Sequence, residues 1–173
     1  MTQTQAAEQT RTRTFSWSDP SLHAAVIGSR PGLETLRAMI DGELPPPPIF
    51  STIGVDRMEA AEGLITVLLT PREFHYNPLG SVHGGVISTV LDTAAGCSVH
   101  SLLPAGQGYT SLDLSVRFLR AVTVNSGTLR CTGTILSRTR RSALAEARLV
   151  DESGQLVAHA TSSCLIFDVP TAR

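Results

Sequence analysis

The sequence predicts an α+β fold in which a curled antiparallel sheet wraps around one long central helix. Apolar residues recur at helical spacing over residues 82–102, whereas apolar and polar residues alternate in the segments on either side. The connections between the alternating segments are too short for crossover helices, so the strands should pair mainly antiparallel. A single helix that is apolar over most of its surface needs a sheet curled around it.

The region before the sheet should hold one short helix. Residues 1–20 are polar and without period, and we expect them to be disordered. Residues 31–41, PGLETLRAMID, predict an amphipathic helix, with Pro31 suited to its first turn and Gly42 to its C-terminal cap. The proline run 45–48 predicts an extended, polyproline-like connector.

The remainder of the chain is interpreted as one domain of strands around the helix. Alternation predicts strands at residues 53–60, 64–70, 109–119, 128–136, 143–150 and 155–167. The first two should form a hairpin through residues 61–63. One face of the third should carry Leu112, Leu114, Val116 and Phe118. We therefore divide the chain into an N-terminal region of residues 1–48, a domain at 49–168 and a tail at 169–173.

The composition excludes several classes of protein. Charged residues are 17% of the chain against about 25% in an average soluble domain, which indicates burial against the chain's own core or a partner subunit. The net charge of −1 and the scattered basic residues leave no cationic stripe for nucleic acid. All 14 basic residues are arginine, which excludes a lysine Schiff base, a lysine aldolase and a Walker phosphate loop.

The cysteines and the uncharged stretches bear on cellular location. Cys97, Cys131 and Cys164 are odd in number and widely spaced, so neither a disulfide framework nor a CxxC zinc site can be drawn. The N-terminal residues lack the apolar run of a secretion signal, and the uncharged stretches 74–91 and 93–112 are interrupted by proline and glycine. We therefore expect a cytoplasmic protein that does not cross a membrane.

One carboxylate stands out on the predicted helix. Asp92 is the only formal charge between Glu73 and Asp113, and it lies on a narrow stripe of small and polar residues. Burial of a lone carboxylate is costly without partners. Asp92 is therefore a candidate nucleophile or general base, with a structural aspartate bonded to the sheet as the alternative.

The helix should begin at His83-Gly84-Gly85, which predicts a second functional feature. A first turn made of glycine presents unshielded backbone N–H groups at the positive end of the helix dipole, which suits an oxyanion or a polarised carbonyl. The alternative is that the glycines only let the chain enter the helix in a tight space. Gly84 and Asp92 are eight residues apart, or about 12 Å along the helix axis. An antiparallel pair of helices in a twofold dimer would instead place Gly84 of one chain beside Asp92 of the other.

These residues resemble a known family. The pattern Asn77-x5-His-Gly-Gly-x6-Asp92, the segment TSLDLSVRFLR at 110–120 and the closing GQLVAHAT at 154–161 are similar to hotdog-fold acyl-CoA thioesterases of the phenylacetate-pathway (PaaI) type. The resemblance covers about residues 50–167 and implies the hotdog fold. Where many relatives have proline after FLR, this chain has Ala121.

The resemblance also implies roles for individual residues. The Gly84 amide would polarise the thioester carbonyl, with Asn77, His83 and Gly85 around that site. Asp92 of the opposing subunit would deliver water or attack directly, and Ser111 would hold the water or the carboxylate. The substrate would be an acyl-CoA, with no further cofactor, and the enzyme a homodimer or homotetramer. The rival functions are a hotdog hydratase or dehydratase and a non-catalytic acyl-CoA-binding protein.

Other sites in the sequence are weaker candidates. Ser81 and Ser88 lack the GxSxG context of a serine hydrolase, and Cys97 lies in an apolar setting typical of a structural thiol. His75, His83 and Asp92 show no metal-binding spacing, so we expect no metal. The arginines of the predicted hairpin SRTRRS are either a solvated tip or a clamp for the phosphates of coenzyme A: Arg138, Arg140 and Arg141.

Overall fold

A computed structural model describes residues 10–169. The helices are α1 Ser21–Ala24, α2 Gly32–Ile40, α3 Pro48–Ile53 and α4 Gly84–His100, with 3₁₀ turns at Glu73–His75 and Val124–Ser126. The strands are β1 Arg57–Ala61, β2 Leu64–Leu69, β3 Gln107–Ser111, β4 Ser115–Phe118, β5 Leu129–Arg138, β6 Ser142–Val150 and β7 Leu156–Asp168. Within this part of the chain, no helix has the length and apolar character that a membrane crossing requires.

The seven strands form one antiparallel sheet that curls around α4. Its order is β1-β2-β5-β6-β7-β3, and β4 pairs with β7 beside β3, so one edge consists of β3 and β4 in succession. The structure thus confirms the predicted α+β architecture and its hotdog arrangement.

Small residues on the inner face of the sheet allow the helix to lie close to it. A Cβ atom at Gly133 of β5 would lie 2.0 Å from the Ala94 carbonyl oxygen of α4, so backbone packs directly against backbone here. Other fully buried small residues on β6 and β7 share this inner face: Ala145, Ala147, Ala158 and Ala160. The helix that contains Gly84 and Asp92 is therefore held at a fixed distance from the sheet.

Two strand predictions were wrong in detail. Residues 48–53 form α3 because Pro48 begins the helix and Gly54, with φ of 70°, ends it, so β1 starts only at Arg57. The predicted strand 109–119 is broken into β3 and β4, and Leu112 and Phe118 are exposed.

The break in that strand has an identifiable cause. The Asp113 carboxylate accepts the Ser163 N–H at 3.0 Å, and the Asp113 carbonyl accepts the Ser162 hydroxyl at 2.8 Å. These bonds to β7 replace the regular ladder, so the chain shifts register between β3 and β4.

Part of the N-terminal region that we expected to be disordered contacts the domain. Residues 1–9 lie outside the described residues, but the Arg13 guanidinium donates to the carbonyls of Ser51 and Thr52 in α3. The predicted helix α2 is confirmed, and its Gly32 N–H donates to the Leu103 carbonyl after α4 at 2.9 Å.

Candidate active site

The start of α4 holds an unpaired backbone amide. His83 is the N-cap residue, and its Nδ1 accepts the Gly85 N–H at 2.9 Å. Among the hydrogen bonds of residues 10–169, none has the Gly84 N–H as its donor. Because His83 occupies the Gly85 amide, the donor available to a ligand at this helix end is Gly84 N–H.

The loop before α4 is shaped by Asn77. Its side-chain oxygen accepts the N–H groups of Leu79 and Ser81 at 2.9 and 3.2 Å, and its Nδ2 donates to the Ser81 hydroxyl at 3.1 Å. Asn77, Ser81 and Gly84 line one cavity of about 390 Å³ with Phe118. The predicted neighbours Asn77 and Gly84 therefore share a site, in which Asn77 holds the loop in shape.

Asp92 lies two turns further along α4, in a second cavity. The Ser111 hydroxyl donates to its carboxylate at 3.1 Å, so the structure brings these two predicted site residues together. The cavity measures about 340 Å³ and is also lined by Ser88, Thr89 and Leu112. The carboxylate is half-buried, not enclosed as we expected, so a ligand can reach it.

The two halves of the predicted site do not meet within one chain. Gly84 lines the first cavity and Asp92 the second, and the helical rise separates them by about 12 Å. A single acyl carbon cannot contact both.

The arginine hairpin lies at the other end of α4. Arg138, Arg140 and Arg141 are all exposed on or beside the β5–β6 turn. Arg138 lines a cavity with Ser101 and other residues that follow α4. Within one chain this hairpin is therefore remote from Gly84, by about 24 Å along a helix of this length.

The competing nucleophiles are not assembled for catalysis. Burial, with a smaller effect of the nearby Asp92 charge, raises the pKa of the Cys97 thiol to about 12, so it stays protonated at neutral pH. Ser81 accepts from Asn77, and the His83 ring faces its own helix end, so no serine–histidine pair forms. In the described residues, no group of three or more metal-ligating side chains is gathered.

Sequence reasoning missed two residues beside the site. The Phe118 ring lies 3.1 Å from the position a Cβ atom of Gly84 would take. His75 is buried below the loop, and its carbonyl accepts the His83 N–H at 2.8 Å. The alternating pattern assigned Phe118 to a buried strand face, and nothing in the sequence indicates the partners of His75.

Comparisons with known proteins bear on this arrangement. A family model described as the thioesterase superfamily matches residues 79–158. A Halobacterium salinarum protein described as a candidate esterase is 34% identical over 77 residues, covering 42% of this chain and 51% of its own length. The chain thus spans about half the length of that curated relative.

Two solved structures have a similar fold. A candidate thioesterase related to phenylacetic acid degradation, from Ralstonia eutropha, is 29% identical with a TM-score of 0.68, covering 75% of this chain and 97% of that one. A Streptococcus mutans protein bound to acetyl CoA is 24% identical with a TM-score of 0.60, covering 68% of this chain and 91% of that one. These findings confirm the predicted resemblance to hotdog thioesterases.

Proposed function

We propose that this protein hydrolyses acyl-CoA thioesters at a site shared between two subunits, and the match of residues 79–158 to the thioesterase superfamily supports this proposal. One observation carries the proposal: an unpaired amide at Gly84 and a Ser111-bound carboxylate at Asp92 lie on one helix but in separate cavities. An antiparallel pair of α4 helices brings each Gly84 beside the Asp92 of the partner subunit.

The Gly84 amide would bind the carbonyl oxygen of the thioester. Negative charge develops on that oxygen when a nucleophile attacks, and a fixed N–H donor at a helix start stabilises it. The His83 ring accepts the Gly85 N–H and leaves the Gly84 N–H as the donor for a ligand. The Phe118 ring against Gly84 would form a wall of the acyl or pantetheine channel.

Asp92 of the partner subunit would activate the attacking water. The carboxylate accepts a proton as the water oxygen bonds to the carbonyl carbon; the carbon–sulfur bond then breaks, and the leaving CoA thiolate takes up the proton that Asp92 held, which regenerates the carboxylate. The Ser111 hydroxyl on one carboxylate oxygen, at 3.1 Å, orients the carboxylate toward the water. Direct attack by Asp92 is the alternative, and single-turnover hydrolysis in heavy-oxygen water separates the two.

The same dimer would supply the nucleotide end of the substrate site. If position 84 faces position 92 of the partner, position 100 of the partner helix lies eight residues, or about 12 Å, beyond Gly84. Arg138 of the partner subunit follows that helix end, so its hairpin stands where the phosphates of coenzyme A would emerge. The acetyl CoA bound to the Streptococcus mutans neighbour supports a CoA thioester as ligand.

The direct test is release of free thiol from a panel of aromatic and aliphatic acyl-CoAs. We expect hydrolysis of at least one member by the wild type, and Asp92→Asn should lower kcat about 100-fold or more without changing the fold. Asp113→Asn is the matched control, since that carboxylate bonds to β7. A change in enoyl absorbance without thiol would indicate a hydratase, and binding without either reaction a sensor.

Complementation tests the sharing of the site. Asp92→Asn and Gly84→Pro should each be inactive, whereas a mixed dimer holds one doubly altered site and one intact site. Mixing should therefore restore a substantial fraction of wild-type activity. Absence of complementation, with mixed dimers shown by native mass spectrometry, would refute the shared site.

A further inference from the structure

His75 is a buried histidine at the base of the loop that leads into α4. Its side chain lies between α3 and the segment before the helix, and only 3% of the residue is exposed. The ring Nε2 lies 2.7 Å from the Ile53 carbonyl oxygen, and Nδ1 lies 3.0 Å from the Arg72 backbone nitrogen. Both ring nitrogens are therefore occupied by backbone groups.

These partners fix the protonation state of the ring. The Arg72 N–H can only donate, so Nδ1 must carry a lone pair; the Ile53 carbonyl can only accept, so Nε2 must carry the hydrogen. His75 is thus a neutral imidazole held in one tautomer. Neither nitrogen remains for a metal ion or for proton transfer to a substrate.

The backbone of His75 acts on the opposite side, toward α4. Its carbonyl accepts the His83 N–H at 2.8 Å, and the next pair, Tyr76 and Val82, forms an antiparallel bridge. These contacts close the loop that holds Asn77. They also fix the backbone of His83, the residue immediately before Gly84 and the one whose ring caps Gly85.

The N-terminal segment secures this assembly from outside. The Arg13 guanidinium donates to the Ser51 carbonyl and, at 2.6 Å, to the Thr52 carbonyl, and it lies 4.0 Å from the centre of the Phe74 ring. Three successive carbonyls at the end of α3 are thus held by Arg13 and His75 together.

We propose that His75 is a positioning residue for the Gly84 amide: its neutral ring anchors the loop to α3, and its carbonyl sets the orientation of His83. The inference rests on the proposed function, in which the Gly84 N–H polarises the thioester carbonyl. It extends the working site to α3 and Arg13, which lie before the segment matched by the family model.

The arrangement makes His75 sensitive to acid. Burial lowers the pKa of His75, the charges of Arg13 and Arg72 lower it further, and the Ile53 carbonyl and Asp56 oppose the shift. Protonation would place a hydrogen on Nδ1 against the Arg72 N–H, so a charged ring must leave this position.

The test compares three substitutions of His75. Gln offers a donor near the position of Nε2, Asn offers an acceptor near that of Nδ1, and Leu offers neither. We expect His75→Leu to lower kcat between about tenfold and about 100-fold, as for a displaced catalytic group, with KM changed about twofold or less. Gln and Asn should each restore part of the loss.

Amide hydrogen exchange supplies a readout that does not depend on hydrolysis. Exchange at His83 and Gly85 should speed up in His75→Leu, while the amides of the second half of α4 keep their wild-type rates. His100→Asn is the matched control, because it alters a largely buried histidine at the other end of α4. It should leave both kcat and exchange at residues 83 and 85 unchanged.

Each outcome decides between the two proposals. Faster exchange at residues 83 and 85, with no thiol release by any variant or by the wild type, supports the positioning role and removes the proposed function. Wild-type exchange and kcat in His75→Leu overturn the positioning role alone. If His75→Leu does not fold, Arg13→Ala with an Arg13→Lys rescue replaces it; an unchanged exchange rate in that pair also overturns the inference.

Discussion

The two ends of α4 differ in how the fold treats their backbone polar groups. At the C-terminal end, the carbonyls of Val99 and His100 accept the N–H groups of Leu102 and Leu103 at 3.1 and 3.0 Å, and the Ser98 carbonyl accepts the Ser101 hydroxyl at 2.7 Å. A Cβ atom at Gly32 would lie 1.8 Å from the His100 carbonyl oxygen, so α2 closes this end by backbone contact.

The N-terminal end is left open. His83 and Gly85 are exposed, and Gly84 lines a cavity, where a Cβ atom at Gly84 would meet the Phe118 side chain and not backbone. Every helix end presents unpaired groups that some partner must satisfy. Here the protein itself supplies the partners at one end, and we infer that a ligand supplies them at the other.

Removal of the donor at the open end should have the largest effect on activity. Gly84→Pro eliminates the N–H, and we expect kcat to fall about 100-fold to 1,000-fold, as for loss of one oxyanion donor. The fold should survive, because proline suits the first helical turn and His83 already has the extended conformation that precedes proline, with φ −61° and ψ 135°. Steady-state kinetics and thermal unfolding measure the two effects.

Gly84→Ala is the control for that substitution. It adds a Cβ atom at the same place and keeps the N–H. Retention of most activity in Gly84→Ala, beside its loss in Gly84→Pro, assigns the effect to the amide; equal losses in both would contradict that assignment.

A substitution at the closed end should lower the stability of the protein. Gly32→Ala places its Cβ against the His100 carbonyl, which cannot rotate away, so we expect unfolding free energy to fall by about 1–3 kcal/mol. Gly84→Ala meets only the Phe118 side chain and should be tolerated better. Urea denaturation measures the unfolding free energy of both variants, and equal destabilisation would argue against an open N-terminal end.

Between the two ends, Ser111 should have a smaller effect. Ser111→Ala removes the hydroxyl bonded to Asp92, and we expect kcat to fall about tenfold, corresponding to about 1.4 kcal/mol for a hydrogen bond to a charged group. Ser88→Ala is the matched control, since Ser88 lines the same cavity. Equal effects of the two substitutions would mean that the Asp92 contact has no part in catalysis.

The smallest expected effect is a dependence of stability on pH. Burial lowers the pKa values of His75 and His100 from the usual 6.5, so below pH 6.5 the unfolded chain binds protons that the folded chain excludes. Unfolding free energy should fall as pH drops from 7.5 to 5.5, by at most about 1.4 kcal/mol per pH unit for each histidine. Hydrogen bonds lower the pKa values of the surface carboxylates Asp19 and Asp151, so these two groups affect stability only below about pH 3.8.

Urea midpoints at the two pH values measure this dependence. His75→Asn and His100→Asn should each reduce the slope. If neither substitution changes it, the two buried histidines do not cause the loss of stability.

Local pattern was sufficient for the main architecture and for the elements of the site. The helical period continues without interruption through α4, and the His-Gly-Gly start marks its first turn. The strands predicted near residues 64–70, 128–136, 143–150 and 155–167 are confirmed as β2, β5, β6 and β7, which are neighbours in the sheet. The Asp92–Ser111 contact followed from the family resemblance.

The features that local pattern could not predict depend on contacts between distant segments. The sequence PIFSTI is rich in β-branched residues, and only the proline and glycine that flank it permit α3. Alternation continues through Asp113, whose bonds to β7 break the strand. His75 is recognisable only once Ile53 and Arg72 lie beside it, and the sharing of the site between chains still awaits the complementation experiment.

The contact between Gly133 and the Ala94 carbonyl has a consequence for how this protein can change. Because main chain rests on main chain there, the depth of α4 does not depend on the size of any side chain. The helical rise keeps Gly84 and Asp92 of one chain about 12 Å apart, so in the proposed dimer the two shared sites keep a constant spacing. Exposed cavity-lining residues such as Leu112 and Phe118 can be replaced by mutation without altering that spacing. Under the proposed function, substrate range can therefore change by mutation of these exposed residues while Gly84 and Asp92 keep their positions.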